Sequence, residues 1–204
     1  VVPILPKGID LEFDGRYDAM FCYKSKNYAL FEGGKVILRG SALRSRGVEP
    51  FLKKLTNALI HFLLGATAES PAAMIEGFRK GLLERSLPIE AIAKSEILGM
   101  NPEAYERFIE GGGKPRRASS EAALQMLPRP RMGERVTYYI TPKQKGRTSD
   151  WQRARPISLY DPALAPYDPD HYVGKLDDWI ERYGRFIGVS VPPKGTDSRQ
   201  GELL

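Results

Sequence analysis

The chain has 204 residues, 42% of them apolar, which is long enough for one packed core and too apolar for disorder throughout. Its 31 Lys and Arg outweigh 25 acidic residues for a net charge of +6, a balance that suits a polyanionic partner. The single cysteine, Cys22, excludes a disulfide framework or a cysteine cage for a metal and fits a reducing cytoplasm. No apolar run approaches the roughly 20 residues that a membrane helix needs.

The opening VVPILPKGIDLEF holds Pro3, Pro6 and Gly8 and reads as an entry linker. It has no initiator Met and no signal-peptide layout, so the chain is expected to start inside a longer protein. Residues 17–31, rich in aromatic and small side chains, read as one long strand or two short ones. Glu32-Gly33-Gly34-Lys35 is a hairpin turn into a returning strand over 35–39, stopped at Gly40. Glu49-Pro50 opens a helix whose apolar positions include Phe51, Leu52, Leu55, Leu59 and Phe62, and Gly65 ends it. A second helix follows Ser70-Pro71, with Ser70 as its cap, and stops before Pro88.

Short helices are expected over 101–110, capped by Asn101, and over 119–127. A strand is expected over 135–140, a polar basic loop over 141–155, and an extended Pro-rich segment over 156–169. Asp170 caps a last helix running through Ile187, and 189–204 read as a loose tail. Strands first and helices after predict an α+β fold: an antiparallel hairpin or sheet, then a mainly helical part with a small β element.

Three constellations carry chemistry. Lys24-x-Lys26-x-Tyr28, on a strand, would share one face at about 6.6 Å spacing, near that of successive phosphates. The plain alternative is a solvated face with lysines that block an edge. Arg39, Arg44, Arg46, Lys53 and Lys54 gather at the strand–helix junction, where arginine forks suit phosphate. Residues 111–155 hold 11 basic and 3 acidic side chains, a local excess of +8 that surpasses that of the whole chain. Such a stripe is the footprint of nucleic-acid binding, and a solvated basic loop is its plain alternative.

Other signals are weaker. Asp168-Pro169-Asp170 with Asp177-Asp178 has the look of a cation cluster, but Pro169 and Asp170 fit a helix start where carboxylates cap amides. Gly111-Gly112-Gly113-Lys114 lacks the spacing of a phosphate loop, and His61 and His171 lack zinc partners. Cys22, among aromatics, reads as a small core residue.

In this order the segments LEFDGRYDAMFCYKSKNYALFEGGKVILRG, SALRSRGVEPFLKKL, IEAIAKSEIL, MGERVTYYIT, KGRTSDWQRARPI and YDPDHYVGKLDDWIERYGRFIG resemble the C-terminal part of family B DNA polymerases. The resemblance covers roughly residues 10–188. It implies the end of a palm over 1–45, a thumb over 46–188 and a flexible tail over 189–204. It further implies that Lys26 and Tyr28, with Lys24 beside them, grip the primer–template duplex. Arg46 would match an arginine of the turn into the thumb, with Arg44 beside it, and Lys94 the thumb lysine that meets the DNA backbone. Arg147 and Arg153 would match basic loop positions, with Arg116, Arg117 and Arg155 in the same basic stretch.

The family's two metal-binding aspartates belong to motifs upstream of this segment. The chain is therefore expected to be inactive alone and to hold no cofactor, with Mg2+ serving the intact polymerase. Its partners would be primer–template DNA and the remainder of the polymerase, palm and fingers, and no membrane. Two other readings compete. One is a free-standing single-strand DNA or RNA module that stacks bases on Tyr23, Tyr28 and Tyr138. The other is a metal enzyme built on the Asp168–Asp178 cluster.

Overall fold

A computed structural model describes residues 15–40, 43 and 47–192. Three antiparallel strands come first: β1 (Ala19–Lys24), β2 (Asn27–Glu32) and β3 (Lys35–Arg39), in that order across the sheet. Of the two readings of 17–31, two short strands are found. Ser25 and Lys26 form the turn between them, and Lys26 sits at φ 60°. The pairing shifts between Cys22↔Tyr28 and Lys24↔Asn27, which leaves Tyr23 as an extra residue. Gly33 and Gly34, both at positive φ, close the second hairpin as expected.

Strand periodicity decides which residues turn inward. Phe21 and Tyr23 are half-buried, whereas Met20, Cys22 and Lys24 are exposed. Cys22 therefore lies on the outer face and not in the core, contrary to expectation. Its neighbours in sequence are aromatic, but alternation sends them the other way. Phe21 meets Phe186 edge-on at 5.1 Å, and Tyr23 lies 5.0 Å from Tyr183.

The core that receives these rings is helical. It comprises α1 (Pro50–Leu63), α2 (Ala72–Leu83) and the last helix, α7 (Pro169–Tyr183). Leu55, Leu59, Ile75, Leu82 and Leu176 are fully buried there, each contributing roughly 1.5–3 kcal/mol by burial. Trp179 of α7 donates its indole N–H to Thr56 Oγ1 of α1 at 3.0 Å, so its one polar atom is satisfied inside the core. Ala29 and Leu43 belong to the same cluster, so packing is continuous across the expected boundary at 45/46.

Between α2 and α7 lie a short helix α3 (Ile89–Ile92), β4 (Lys94–Ile97), α4 (Pro102–Glu110), α5 (Ala118–Leu124), β5 (Arg135–Ile140), α6 (Asp150–Arg153) and β6 (Ala154–Pro156). β4, β5 and β6 make a second antiparallel sheet. Ala122 and Ala123 of α5 pack against Leu98, Val136, Tyr138 and Ile140 on one of its faces. The small alanines let the helix approach the sheet closely. The fold is α+β, as the element order predicted, and the strand over 135–140 falls where expected.

Several caps differ from expectation. Asp168, not Asp170, caps α7, accepting from the Asp170 and His171 amides. Pro169 then takes the first helical position, which it fits because it has no amide to leave unpaired. Asn101 precedes α4, but its Oδ1 accepts from the Met132 amide at 2.7 Å and caps nothing in its own helix. α7 stops at Tyr183, four residues before the expected Ile187, in a short 3-10 turn over Gly184–Phe186. Val189 and Val191, expected in a loose tail, rest against the core.

Candidate nucleic-acid interface

The expected strand face of Lys24, Lys26 and Tyr28 does not exist. Lys24 ends β1, Lys26 lies in the turn, and Tyr28 is on β2 opposite Cys22 and Arg39. The two-residue hairpin breaks the period-2 alternation on which the shared face depended. What the turn does instead is present Lys24 and Lys26, both exposed, at one end of the sheet. Lys24 lies 5.6 Å from the centre of the Tyr23 ring. Gly40 fixes the turn from behind: a Cβ there would come within 2.2 Å of the Lys26 carbonyl oxygen, and its φ is +85°. Arg44 and Arg46 lie outside the described residues.

Lys94 opens β4 and is half-buried. Its Nζ lies 2.7 Å from Glu96 Oε1, so its charge is largely offset within the chain. Burial pushes the Glu96 carboxyl up, but hydrogen bonds and charge from Lys94, helped by Ser119 and Tyr138, outweigh it and hold the pKa down. Nearby Glu49, just before α1, is 7% exposed, and burial raises its pKa against the opposing charges of Lys94 and Lys175.

The stretch expected to be a basic loop, 141–155, is built more firmly than its composition suggests. Ser149 and Gln152 form a capping box at the start of α6. Gln152 Oε1 accepts from the Thr148 and Ser149 amides at 3.1 and 3.0 Å, and its Nε2 donates to the Gly146 carbonyl at 3.2 Å. One side chain thereby braces the turn that carries Arg147. The S-x-x-Q spacing was a legible signal for this helix start.

Arg147 and Arg155 form a wall shared by two adjoining clefts. In the second cleft they face Arg116 and Trp151, and the Arg116 guanidinium stacks 4.5 Å from the Trp151 ring centre. Glu121, 3.4 Å from Arg116, offsets part of that charge. Arg117 is exposed at the N-cap of α5, where its amide donates to the Tyr105 hydroxyl. Trp151 is the contributor that sequence reasoning missed, because nothing local pairs it with Arg116, 35 residues away in the sequence.

Arg153, expected among the DNA-contacting residues, is 4% exposed and faces inward. It pairs with Asp168 at 2.5 Å and with Asp150 at 3.0 Å, and donates to the Thr141 carbonyl at 2.9 Å. It ties α6 to the cap of α7 and is out of reach of a phosphate. Two of the four carboxylates of the acidic cluster at 168–178 are likewise engaged, Asp168 by this pair and Asp177 by Arg79 at 2.5 Å. Of the aromatic platforms, Tyr138 is 5% exposed and Tyr23 packs on Tyr183, so neither offers a free stacking face.

Among the described residues, then, surface cations collect at the first hairpin, around the loop clefts and beside the second sheet, on an α+β frame that places them. That frame is the fold of a DNA polymerase segment. The solved structure of the family B DNA polymerase from Pyrobaculum calidifontis superimposes on 90% of this chain and on 23% of its own length, with a TM-score of 0.63 at 18% identity. The DNA polymerase of Thermococcus kodakarensis is 27% identical over 187 residues, covering 90% of this chain and 11% of the relative. That of Desulfurococcus sp. strain Tok is 27% identical over 189 residues, covering 91% of this chain and 23% of the relative. No family model matches the chain. The chain is similar to DNA polymerases along about nine tenths of its length, and it spans less than a quarter of the relatives it matches.

Proposed function

We propose that this chain is the DNA-gripping C-terminal segment of a family B DNA-directed DNA polymerase. Residues up to about 45 end the palm, and 46–188 form the thumb. The observation that carries this reading is the clustering of Arg116, Arg147 and Arg155 with Trp151 around braced clefts, on a chain homologous to polymerases. Arginine forks bind phosphate in a planar, two-bond geometry, and a ring beside them offers a contact for sugar. The exposed Lys24 and Lys26 give a second contact point at the hairpin end.

The segment's role is to hold the product duplex so that the primer end stays in register. The carboxylates that hold Mg2+ belong to the upstream part of the polymerase, where the ions serve nucleotidyl transfer. Three aspartates of this segment serve structure: Asp168 and Asp177 are bound to arginines, and Asp150 to Arg153. Partners are primer–template DNA and the remaining palm and fingers, in the cytoplasm, where the exposed free Cys22 stays reduced.

The test is binding of the chain to a fluorescent primer–template duplex and to the matching single strand across a salt series. Duplex preference with a steep loss of affinity in salt is expected. Arg147→Ala with Arg155→Ala should flatten the slope of log K against log salt by about 2. Absence of duplex affinity even at low salt would overturn the reading.

A further inference from the structure

Lys94 and Glu96 stand two residues apart on β4, so their side chains leave the same face of the second sheet. The two ends of their 2.7 Å ion pair are held differently. Glu96 is anchored, because the hydroxyls of Ser119 on α5 and Tyr138 on β5, both buried, donate to its carboxylate. Lys94 has only its own flexible stem to hold it. A Cβ on Gly47, just before α1, would lie 3.9 Å from Lys94 Cε, so the stem runs along the border between the second sheet and α1. There Lys94 borders a cavity of about 230 Å3 that it shares with Glu49 and Lys175, which leaves the stem room to swing.

The pair is also within reach of a polyanion. Its side chains are 30% and 32% exposed. Beside it, Lys53 and Lys54 of α1 face Arg135 of β5 across an open cleft, and Glu96 is the one carboxylate among the described residues that line it. A basic cleft draws a polyanion to the place where the pair stands. Arg153 differs in kind: its side chain is 3% exposed, and nothing outside the chain can draw it off Asp168.

We propose that Glu96 is a positioning residue that masks Lys94 in the free chain, an autoinhibitory contact that a duplex opens by drawing the ammonium off a fixed carboxylate. The proposal rests on the DNA-gripping reading and makes one of its cations conditional. Lys94 adds to the hold only where a phosphate attracts it more strongly than Glu96 does. When Lys94 leaves, Glu96 keeps the Ser119 and Tyr138 hydroxyls, so no buried acceptor is stranded and the exchange costs little. A cation that can fall back on its own carboxylate lowers the hold on any one register of the duplex, which favours sliding.

The experiment is a double-mutant cycle in the full chain, with wild type, Glu96→Gln, Lys94→Gln and the double variant. Each is titrated with a fluorescent primer–template duplex across a salt series, and thermal melts verify folding. Glutamine at 96 keeps the shape and an acceptor for the two hydroxyls, and Lys94→Met serves as the second background if Lys94→Gln does not fold. Glu96→Gln is expected to bind duplex about 2- to 5-fold more tightly and to steepen the slope of log K against log salt by about 1. Without Lys94 the same change should leave the slope unaltered. Equal steepening in both backgrounds is what loss of a nearby negative charge does by itself, and it overturns the mask; so does a Glu96→Gln chain with the wild-type slope. Either result leaves the grip of the loop clefts standing, whereas a wild-type chain that binds no duplex at low salt overturns that reading and the mask together.

Discussion

The first sheet is made from one continuous stretch, residues 19–39, and the second from three segments scattered over residues 94–156. In the first, each strand follows its partner through a two-residue turn, so local chemistry places Lys24 and Lys26 at the hairpin end. In the second, α4 and α5 lie between β4 and β5 in the chain, and distant partners decide what each side chain does. Arg147 and Arg153 show the consequence. They lie six residues apart in one basic run, yet Arg147 lines an open cleft and Arg153 is buried on Asp168. A charge stripe is therefore a poor guide to which of its members meet a ligand, and more so where the fold is non-local.

The sharpest way to break this contrast is Arg153→Ala. It would leave the Asp168 carboxylate buried without its partner and unpin α6 from α7, at a cost of about 3–5 kcal/mol. Urea denaturation should show that loss, while Arg147→Ala should leave stability within about 0.5 kcal/mol. Similar losses for the two would mean that position in the loop, and not the buried pair, sets their roles.

The first sheet is tested by Gly40→Ala. Its Cβ would meet the Lys26 carbonyl at 2.2 Å from a left-handed backbone, and a cost of about 2–3 kcal/mol is expected in a thermal melt. Because the clash lies at the Lys24–Lys26 turn, any loss of DNA affinity should be confined to that end. Gln152→Ala is milder. It removes the brace under Arg147 and half of the α6 capping box, for about 1–2 kcal/mol. Amide exchange should quicken in residues 144–149 and stay unchanged in β1–β3.

The smallest effect is a pH slope confined to the second region. Burial holds the His171 pKa below its ordinary 6.5, although nearby Asp150 pulls it up. The unfolded chain then takes up a proton before the folded one. Stability from this group is present above about pH 6.5 and is lost as the pH falls below it. Unfolding free energy should fall less steeply between about pH 7.5 and 5.5 in His171→Gln than in the wild-type chain. Equal slopes would assign the wild-type dependence to other groups.

Much of the frame could be read from the sequence. The apolar spacing of 51–62 predicted α1, and the Gly33-Gly34 pair predicted the hairpin whose glycines adopt positive φ. Alternating aromatics predicted strands, though not where they turn. β4 and β6 escaped because strands of four and three residues carry almost no periodicity of their own. The candidate site was legible as charge but not as geometry. Arg116, Arg147 and Arg155 were found, while Trp151 was not.

Composition, periodicity and turn residues, then, determined a basic α+β chain with a helical core and a hairpin closed by Gly33 and Gly34. Those properties depend on residues within a few positions of one another, where backbone geometry leaves little choice. Only the tertiary structure decided that Arg153 is an anchor, that Asp168 caps α7, and that Lys53 and Lys54 face Arg135. Burial and pairing are set by segments that approach through space, and the energy of a charge depends on which of them it meets.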